Sequence, residues 1–500
     1  MTSSQHLPDT DPVPPDAGTP AQSPRRPGAP PGGRRSAWSL LRPALLRLHF
    51  YAGVLVAPFL LVAATSGLLY AFSPQIEQAV YADELRVPVG DERIPLADQV
   101  AAAADAHPEG TLNAVRLGED PDESTRVLFD EPGLEESHRT GVFVDPYTGE
   151  VLGKLDSYGS SGALPVRSWI SELHRHLHLG DPGRVYSELA ASWLWAVAGG
   201  GVLLWVSKRR GQRRIRGVLA PDNRARGRNR AMSWHGSVGI WAVAGFFVLS
   251  ATGLTWSTYA GDNIGKIREA MNWQTPALSA AEEAPGDAGR GSSGAGADAA
   301  RDVGVDRALE SARAAGMSGP VEVSLPASAE EPYIVQQTSR EWPAHRGSVA
   351  VDQQNGEVVE ELRFTDFPFM AKLTAWGIAF HMGLLFGLPN QLLLAATALS
   401  VIGLVILGYR MWFQRRPTAS GGFAPGRPFP RGAWRTLPLG TRVLLVAAAV
   451  GIGVLLPVFG VSLLLFLVVD GVVAAGRRRR NRRVSGPETS PEPRSRAVAD

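Results

Sequence analysis

The chain contains no cysteine among its 500 residues. That absence excludes disulfides, thiolate-ligated iron–sulfur clusters, covalently attached c-type haem and cysteine nucleophiles. Any redox cofactor must therefore be held by other side chains. No nucleophile, triad or metal-hydrolase motif supports hydrolysis. The one glycine-rich run, AEEAPGDAGRGSSGAGADAA (Ala281 to Ala300), has no strand before it, so it reads as a linker and not as a dinucleotide fingerprint. Net charge is also nearly missing, at +2, because charges of opposite sign are sorted to different segments.

What the chain does have is apolar residues gathered in blocks. Four are long enough to cross a bilayer as helices: Leu45 to Phe72, Leu189 to Val206, Trp234 to Tyr259 and Pro389 to Trp412. A fifth, within 441–475, is too long for one span and short for two. Charge sets the orientation. The loop 207–233, with WVSKRRGQRRIRG and NRARGRNR, is almost purely basic, as are the segments before Leu45, the loop 413–440 and the tail 476–500. By the positive-inside rule these lie in the cytoplasm, and they account for the arginines without nucleic acid as a partner. Segments 73–188 and 260–388 then face outward, and 441–475 must be a hairpin turning near Pro457 so that the basic tail returns inside. Six spans result, with both termini cytoplasmic. Residues 1–36, rich in Pro, Ser, Asp and Arg, read as a disordered tail. No cytoplasmic segment is long enough for a flavin or nicotinamide domain.

The chain repeats itself. His49 is followed four residues on by Gly53 and eighteen on by Gly67, and His235 by Gly239 and Gly253 at the same distances. Downstream, at a constant offset of 207, VFVDPYTGEV matches VAVDQQNGEV, Trp169 matches Trp376, His174 matches His381, Gly180 matches Gly387 and Gly201 matches Gly408. Each half is span, outer domain, span. Each outer domain reads as a helix (Leu96 to Ala106, Val305 to Ala315), strand-like stretches such as RVLF and YIVQ, then a hairpin turning at DPYTG or DQQNG. The Asp and Gly of each turn are what the backbone needs there. The expected fold is a mainly α-helical integral membrane protein: a tandem-repeat bundle of about six spans with two small α+β extracytoplasmic domains, 260–388 carrying the linker 281–300.

Depth sorts the repeated histidines. His49 and His235 open outward-running spans and so sit near the cytoplasmic face; His174 and His381 precede inward-running spans and sit near the outer face. A parallel repeat about an axis along the membrane normal brings each pair together, giving one His–His site per leaflet. A span of about 20 residues is about 30 Å long, so inner and outer histidines cannot share an iron. In SWISELHRHLHLG, helical spacing with Gly180 as stop puts His174 and His178 on one face. Only His174 has a counterpart in the other half, so His178 is a reserve ligand and His176 a surface residue. A single histidine at a span end is ordinarily an interfacial imidazole; four recurring as two pairs suit axial ligation of haem iron. Zinc or copper at His174 and His178 would lack further ligands. The small residues of ATSGLL, SATGL and AVAGGG let helices approach closely, or make room for a flat macrocycle.

The His–x3–Gly … (A/S)TGL spacing, VDPYTGEVLG, LHRHLHLGDPGR and FHMGLLFGLPNQ … YRMWFQRR resemble the PepSY-associated transmembrane helix family, the iron-regulated membrane proteins that include ferric-siderophore reductases. The resemblance covers about residues 40–416. It implies a bacterial inner (plasma) membrane location, outward PepSY-like domains and b-type haem held by membrane histidines. Carried over, His49 and His235 would serve an inner haem and His174 and His381 an outer one. The expected activity is a two-haem b electron conduit embedded in the lipid bilayer that reduces a ferric siderophore outside in iron acquisition, taking electrons from a quinol or a separate reductase. No further catalytic residue is assigned. Two rival readings remain: a non-enzymatic scaffold whose PepSY-like modules bind peptide, protease or cell-wall material, and transport of metal or siderophore without redox chemistry.

Overall fold

In a bilayer, uncharged runs satisfy their backbone only as helices or closed barrels, and the apolar blocks of this chain are helical. The computed structural model describes residues 37–209, 219–279, 302–342, 346–415, 429–431 and 434–484. The tail 1–36, the linker 281–300, residues 210–218 of the basic loop, most of 413–440 and 485–500 lie outside the described residues.

The first half runs through helices α1 (Ala37–Leu55), α2 (Ala57–Ala71), α3 (Ser73–Val80), α4 (Ala82–Leu85) and α5 (Leu96–Ala106). Strands β1 (Thr111–Arg116), β2 (Thr125–Asp130), β3 (His138–Val144) and β4 (Val151–Tyr158) follow, then helices α6 (Pro165–His176) and α7 (Asp181–Arg209). The second half repeats the plan with α8 (Gly227–Leu254), α9 (Tyr259–Ala270), α10 (Gly304–Ala314), strands β5 (Val321–Ser324), β6 (Tyr333–Gln337), β7 (Ser348–Val351) and β8 (Val358–Leu362), then α11 (Phe369–His381) and α12 (Gly387–Phe413). Helices α13 (Leu439–Leu455) and α14 (Pro457–Val484) complete the described chain.

The protein is a membrane protein. Helices α7, α8, α12 and α14 are each long and apolar enough to cross a bilayer, and α1 with α2 makes a fifth span if the pair, bent by 57°, counts as one. Pro58 explains the bend: it has no N–H to give the Val54 carbonyl four residues earlier, and the Tyr409 hydroxyl donates to that carbonyl at 2.9 Å instead. Helix α8, its repeat counterpart, has no proline and is continuous. Helix α13 has only 17 residues, so the expected sixth crossing rests on it alone. The hairpin break falls at Leu456, with Gly453 packed on Gly460 so closely that neither has space for a side chain.

The strands of the two outer segments pair with one another. The strands form one eight-stranded antiparallel sheet, ordered β4-β3-β2-β1-β5-β6-β7-β8, in which two four-stranded meanders join edge to edge. Each meander alone would expose an edge of unpaired backbone groups; pairing β1 with β5, with Arg116 opposite Glu322, satisfies both. Helices α5 and α10 cover one face, over Val115, Val127, Val142, Val321, Val323 and Val335. Alternation along each strand sends Arg116, Arg126 and Glu322 to the other face. The turn residues do what their types suggested: Asp145 Oδ1 accepts from the Tyr147 amide at 2.8 Å and Asp352 Oδ1 from that of Gln354 at 2.7 Å, with Gly149 and Gly356 at positive φ.

Helix α6 also differs from expectation. It ends at His176, because Leu177 and His178 both take left-handed backbone, at φ 55° and 53°. His178 therefore leaves the helix and does not share a face with His174.

Candidate functional site

Four helices bring the repeated histidines together in two pairs, at opposite ends of the bundle. At the end away from the sheet, His49 on α1 and His235 on α8 have ring centroids 6.4 Å apart, nearly perpendicular at 84°. At the sheet end, His174 in the last turn of α6 and His381 at the end of α11 are also 6.4 Å apart, at 46°.

Three of the four rings are held through Nδ1 by a neighbouring group. His49 Nδ1 lies 3.0 Å from the Val197 carbonyl on α7. The equivalent partner of His235, by the same 207-residue repeat, is the Leu404 carbonyl; His235 is turned toward it without completing a hydrogen bond. His174 Nδ1 meets the Ser66 hydroxyl at 3.0 Å and His381 Nδ1 the Thr252 hydroxyl at 2.7 Å. One turn beyond each hydroxyl an aromatic ring rests on the same histidine. Tyr70 stacks on His174 at 6.3 Å and Trp256 meets His381 edge-on at 5.5 Å. Ser66 and Tyr70 are the repeat equivalents of Thr252 and Trp256, at the offset that relates His49 to His235. The sequence signal for these four residues is the matching spacing in ATSGLLY and SATGLTW, beyond the small residues of those runs.

This donor set would fit six-coordinate haem iron. Two metal–nitrogen bonds of about 2.0 Å, each continued by about 1.1 Å to the ring centre, would put two imidazoles that ligate one iron roughly 6.2 Å apart. An Nδ1 tied to a carbonyl or hydroxyl leaves Nε2 as the donor. The glycines make space at the rings: a Cβ on Gly67 would stand 3.0 Å from His174 Cε1, and one on Gly201 3.1 Å from His49 Cε1. Gly53, one turn beyond His49, has nothing within 4 Å of where its Cβ would be.

His138, His176 and His178 belong to neither pair. His178 Nδ1 pairs with Glu172 at 3.2 Å and stacks on Trp169 at 4.9 Å, so it is no reserve ligand to the pair containing His174. His176 points to neither pair, and burial lowers its pKa from the ordinary imidazole value. Glu135, His138 and Glu172 bring three ligand atoms within 4.8 Å of one another on the flank of α6, and His138 is already taken by Asp156 at 2.7 Å.

Next to His49 lies a charge cluster whose members are far apart in the sequence. Arg47, two residues before His49, reaches Asp470 on α14 and the Phe429 carbonyl at 2.5 Å. Arg431 adds a second ion pair to Asp470 at 2.8 Å. Ionised groups at such depth persist when they are paired.

In comparisons with known proteins, the matching family is described as the PepSY-associated TM region, and its model covers residues 46–415. No curated protein matches the chain.

Proposed function

The chain belongs to the PepSY-associated transmembrane family, and from that premise we propose that it is a membrane electron-transfer protein holding two b-type haems, one at each histidine pair. The supporting observation is the repeated spacing of 6.4 Å within both pairs, His49 with His235 and His174 with His381. Bound there, haem would supply a one-electron couple on each side of the bilayer, and two axial imidazoles per iron favour electron transfer over oxygen binding.

The chain's own residues set the terms of that chemistry. Val197, Ser66 and Thr252 fix ring orientation and tautomer. Tyr70 and Trp256 shield the outer pair from water. With the arginine-rich loop 207–233 in the cytoplasm, the sheet stands outside a bacterial plasma membrane, both termini lie inside, and α13 makes the sixth crossing with α14. A haem held by His49 and His235 would take electrons from a quinol or a separate reductase, and one held by His174 and His381 would offer them to an acceptor outside. The acceptor we propose is a ferric siderophore: one electron takes its iron from ferric to ferrous, which hard oxygen ligands hold less tightly.

The test is the visible spectrum of the detergent-purified protein, oxidised and dithionite-reduced, with pyridine haemochrome quantification. Two reducible b-type haems per chain are expected. Protein that stays colourless after expression with ample haem overturns the reading and directs attention to the sheet as a binding scaffold.

A further inference from the structure

Between the outer histidine pair and the sheet, the described side chains carry more positive charge than their carboxylates balance. Glu322 takes Arg116, and Arg139 at 3.5 Å; Glu77 takes Arg167 at 3.6 Å. Arg126, Arg340 and Arg346 have no ion-pair partner among the described residues. Arg126 donates to the Gly162 carbonyl at 2.6 Å and lies over the Phe143 ring at 4.9 Å. Arg340 has the Ser160 hydroxyl at 3.1 Å and the Met382 sulfur at 3.3 Å. Arg167, with its side chain 9% exposed, keeps a buried Nε that has no hydrogen-bond partner.

These groups converge on one place. Met382 follows His381 in the chain, and Tyr70, which stacks on His174, lies within electrostatic reach of Arg340. Arg167 and His174 share helix α6, two turns apart. The segment around Ser160 to Gly162 ties Arg116, Arg126 and Arg340 together, and a Cβ on Gly162 would collide with the first two. Burial lowers both Arg126 and Arg340 to about 10; neighbouring guanidinium groups add to it, and the carboxylates of Glu77 and Glu322 oppose it at Arg126 but not at Arg340. That is still far above neutrality, so the charge cannot be shed by losing a proton. A buried charge without a partner is costly, and an anion removes the cost.

We propose that this arginine cluster is a binding site for oxyanion groups, carboxylates above all, immediately beside the outer histidine pair. Planar guanidinium forks suit that chemistry. The carboxylates have two possible sources, the propionates of a haem held by His174 and His381 or the acidic groups of an arriving ferric chelate. The site follows from charge and burial; only the first source rests on the haem reading.

The test compares full-length wild type with Arg340→Gln, Arg340→Lys and Arg346→Gln in detergent, by thermal melting and by titration with haem, haem dimethyl ester and citrate. Ligand-free Arg340→Gln should melt no lower than wild type, since it loses a charge without a partner. Citrate should raise the melting temperature of wild type and Arg340→Lys but not of Arg340→Gln. Haem should bind wild type at least tenfold more tightly than its dimethyl ester, and the difference should disappear in Arg340→Gln. Discrimination with haem alone assigns the propionates; discrimination with citrate alone assigns the arriving chelate. Citrate discrimination in protein that binds no haem leaves the site standing and removes the haem reading. Equal responses of wild type, Arg340→Gln and Arg346→Gln to all three ligands overturn the proposal. Should Arg340→Gln not fold, Arg346→Gln carries the same comparison.

Discussion

His174 and His381 are 207 residues apart in the chain and 6.4 Å apart between ring centres. Each lies in the last turn of a helix that enters from the sheet, and each meets a hydroxyl from an apolar helix of its own half, Ser66 or Thr252. The repeat therefore does more than duplicate a ligand. It builds a pseudo-twofold site in which each half supplies one imidazole and the group that orients it. The two halves also meet at β1 and β5, where the meanders pair antiparallel.

Removing one imidazole from either pair should empty that site alone. His174→Ala or His381→Ala is expected to lower haem content to about half and leave the inner spectrum unchanged; His49→Ala or His235→Ala should do the converse. The measurement is pyridine haemochrome per chain with a redox titration, and loss of all haem from a single substitution would contradict two independent sites.

The hydroxyls make a finer claim. Ser66→Ala and Thr252→Val retain both ligands but free Nδ1. Loss of such an outer hydrogen bond typically costs about 10–100-fold in metal affinity, so haem should dissociate faster from the outer site and its potential should shift. Haem transfer to an excess of a high-affinity acceptor protein, with the inner site as internal reference, reads both. An unchanged outer site would show that these hydroxyls only cap the packing.

The four histidines were legible because the repeat marks them and span direction gives their depth. Helix ends and tertiary contacts were less so. His178 looked helical by spacing, but nothing in LHRHLHLG indicates that Leu177, a poor left-handed residue, would end the helix before it. The joined sheet depends on edge pairing between segments about two hundred residues apart, which no local pattern encodes. Arg47 and Asp470 were visible as charges within or beside apolar runs, but their meeting is a tertiary fact, as is the convergence of Arg126, Arg167 and Arg340.

Glycines that match across the repeat are not equivalent in space. A Cβ at Gly201 meets the His49 ring at 3.1 Å, whereas one at Gly408 meets nothing within 4 Å. Gly408→Ala should stabilise α12 by about 0.5–1 kcal/mol through helix propensity and leave the haem spectra alone. Gly201→Ala should perturb the inner haem, and Gly67→Ala, at 3.0 Å from His174, the outer one. Absorption spectra and melting temperatures of the three variants separate these outcomes.

Asp470 holds the terminal hairpin to the core through Arg47 and Arg431. With the Arg47 side chain only 9% exposed, Asp470→Asn leaves a buried charge uncompensated, at a cost of roughly 3–5 kcal/mol when one partner of such a pair is removed. A lower melting temperature is expected, with recovery in Arg47→Met, Asp470→Leu, where the only charge left without its carboxylate is that of Arg431, whose side chain is 37% exposed and so screened by water. Trp193, whose indole donates to Ser462 at 2.8 Å, should matter less, because its loss strands no charge.

The seam of the sheet should be sensitive to acid, with a definite sign. Burial alone would raise the carboxyl of Glu322, but Arg116 and Arg139 outweigh it and hold its pKa below the ordinary glutamate value. A depressed folded value means that the pair's contribution is fully present above about pH 4.5. It is lost as the pH falls through the folded value. Glu322→Gln removes this dependence and leaves Arg116 without its carboxylate across the β1–β5 junction. At pH 7 the variant should melt below wild type, and the gap should narrow as the pH drops below about 4.5, because protonation then does to wild type what the substitution has already done. A gap that stays constant from pH 7 to pH 3 would mean that Glu322 acts at the seam through packing and hydrogen bonding, with its charge contributing nothing there.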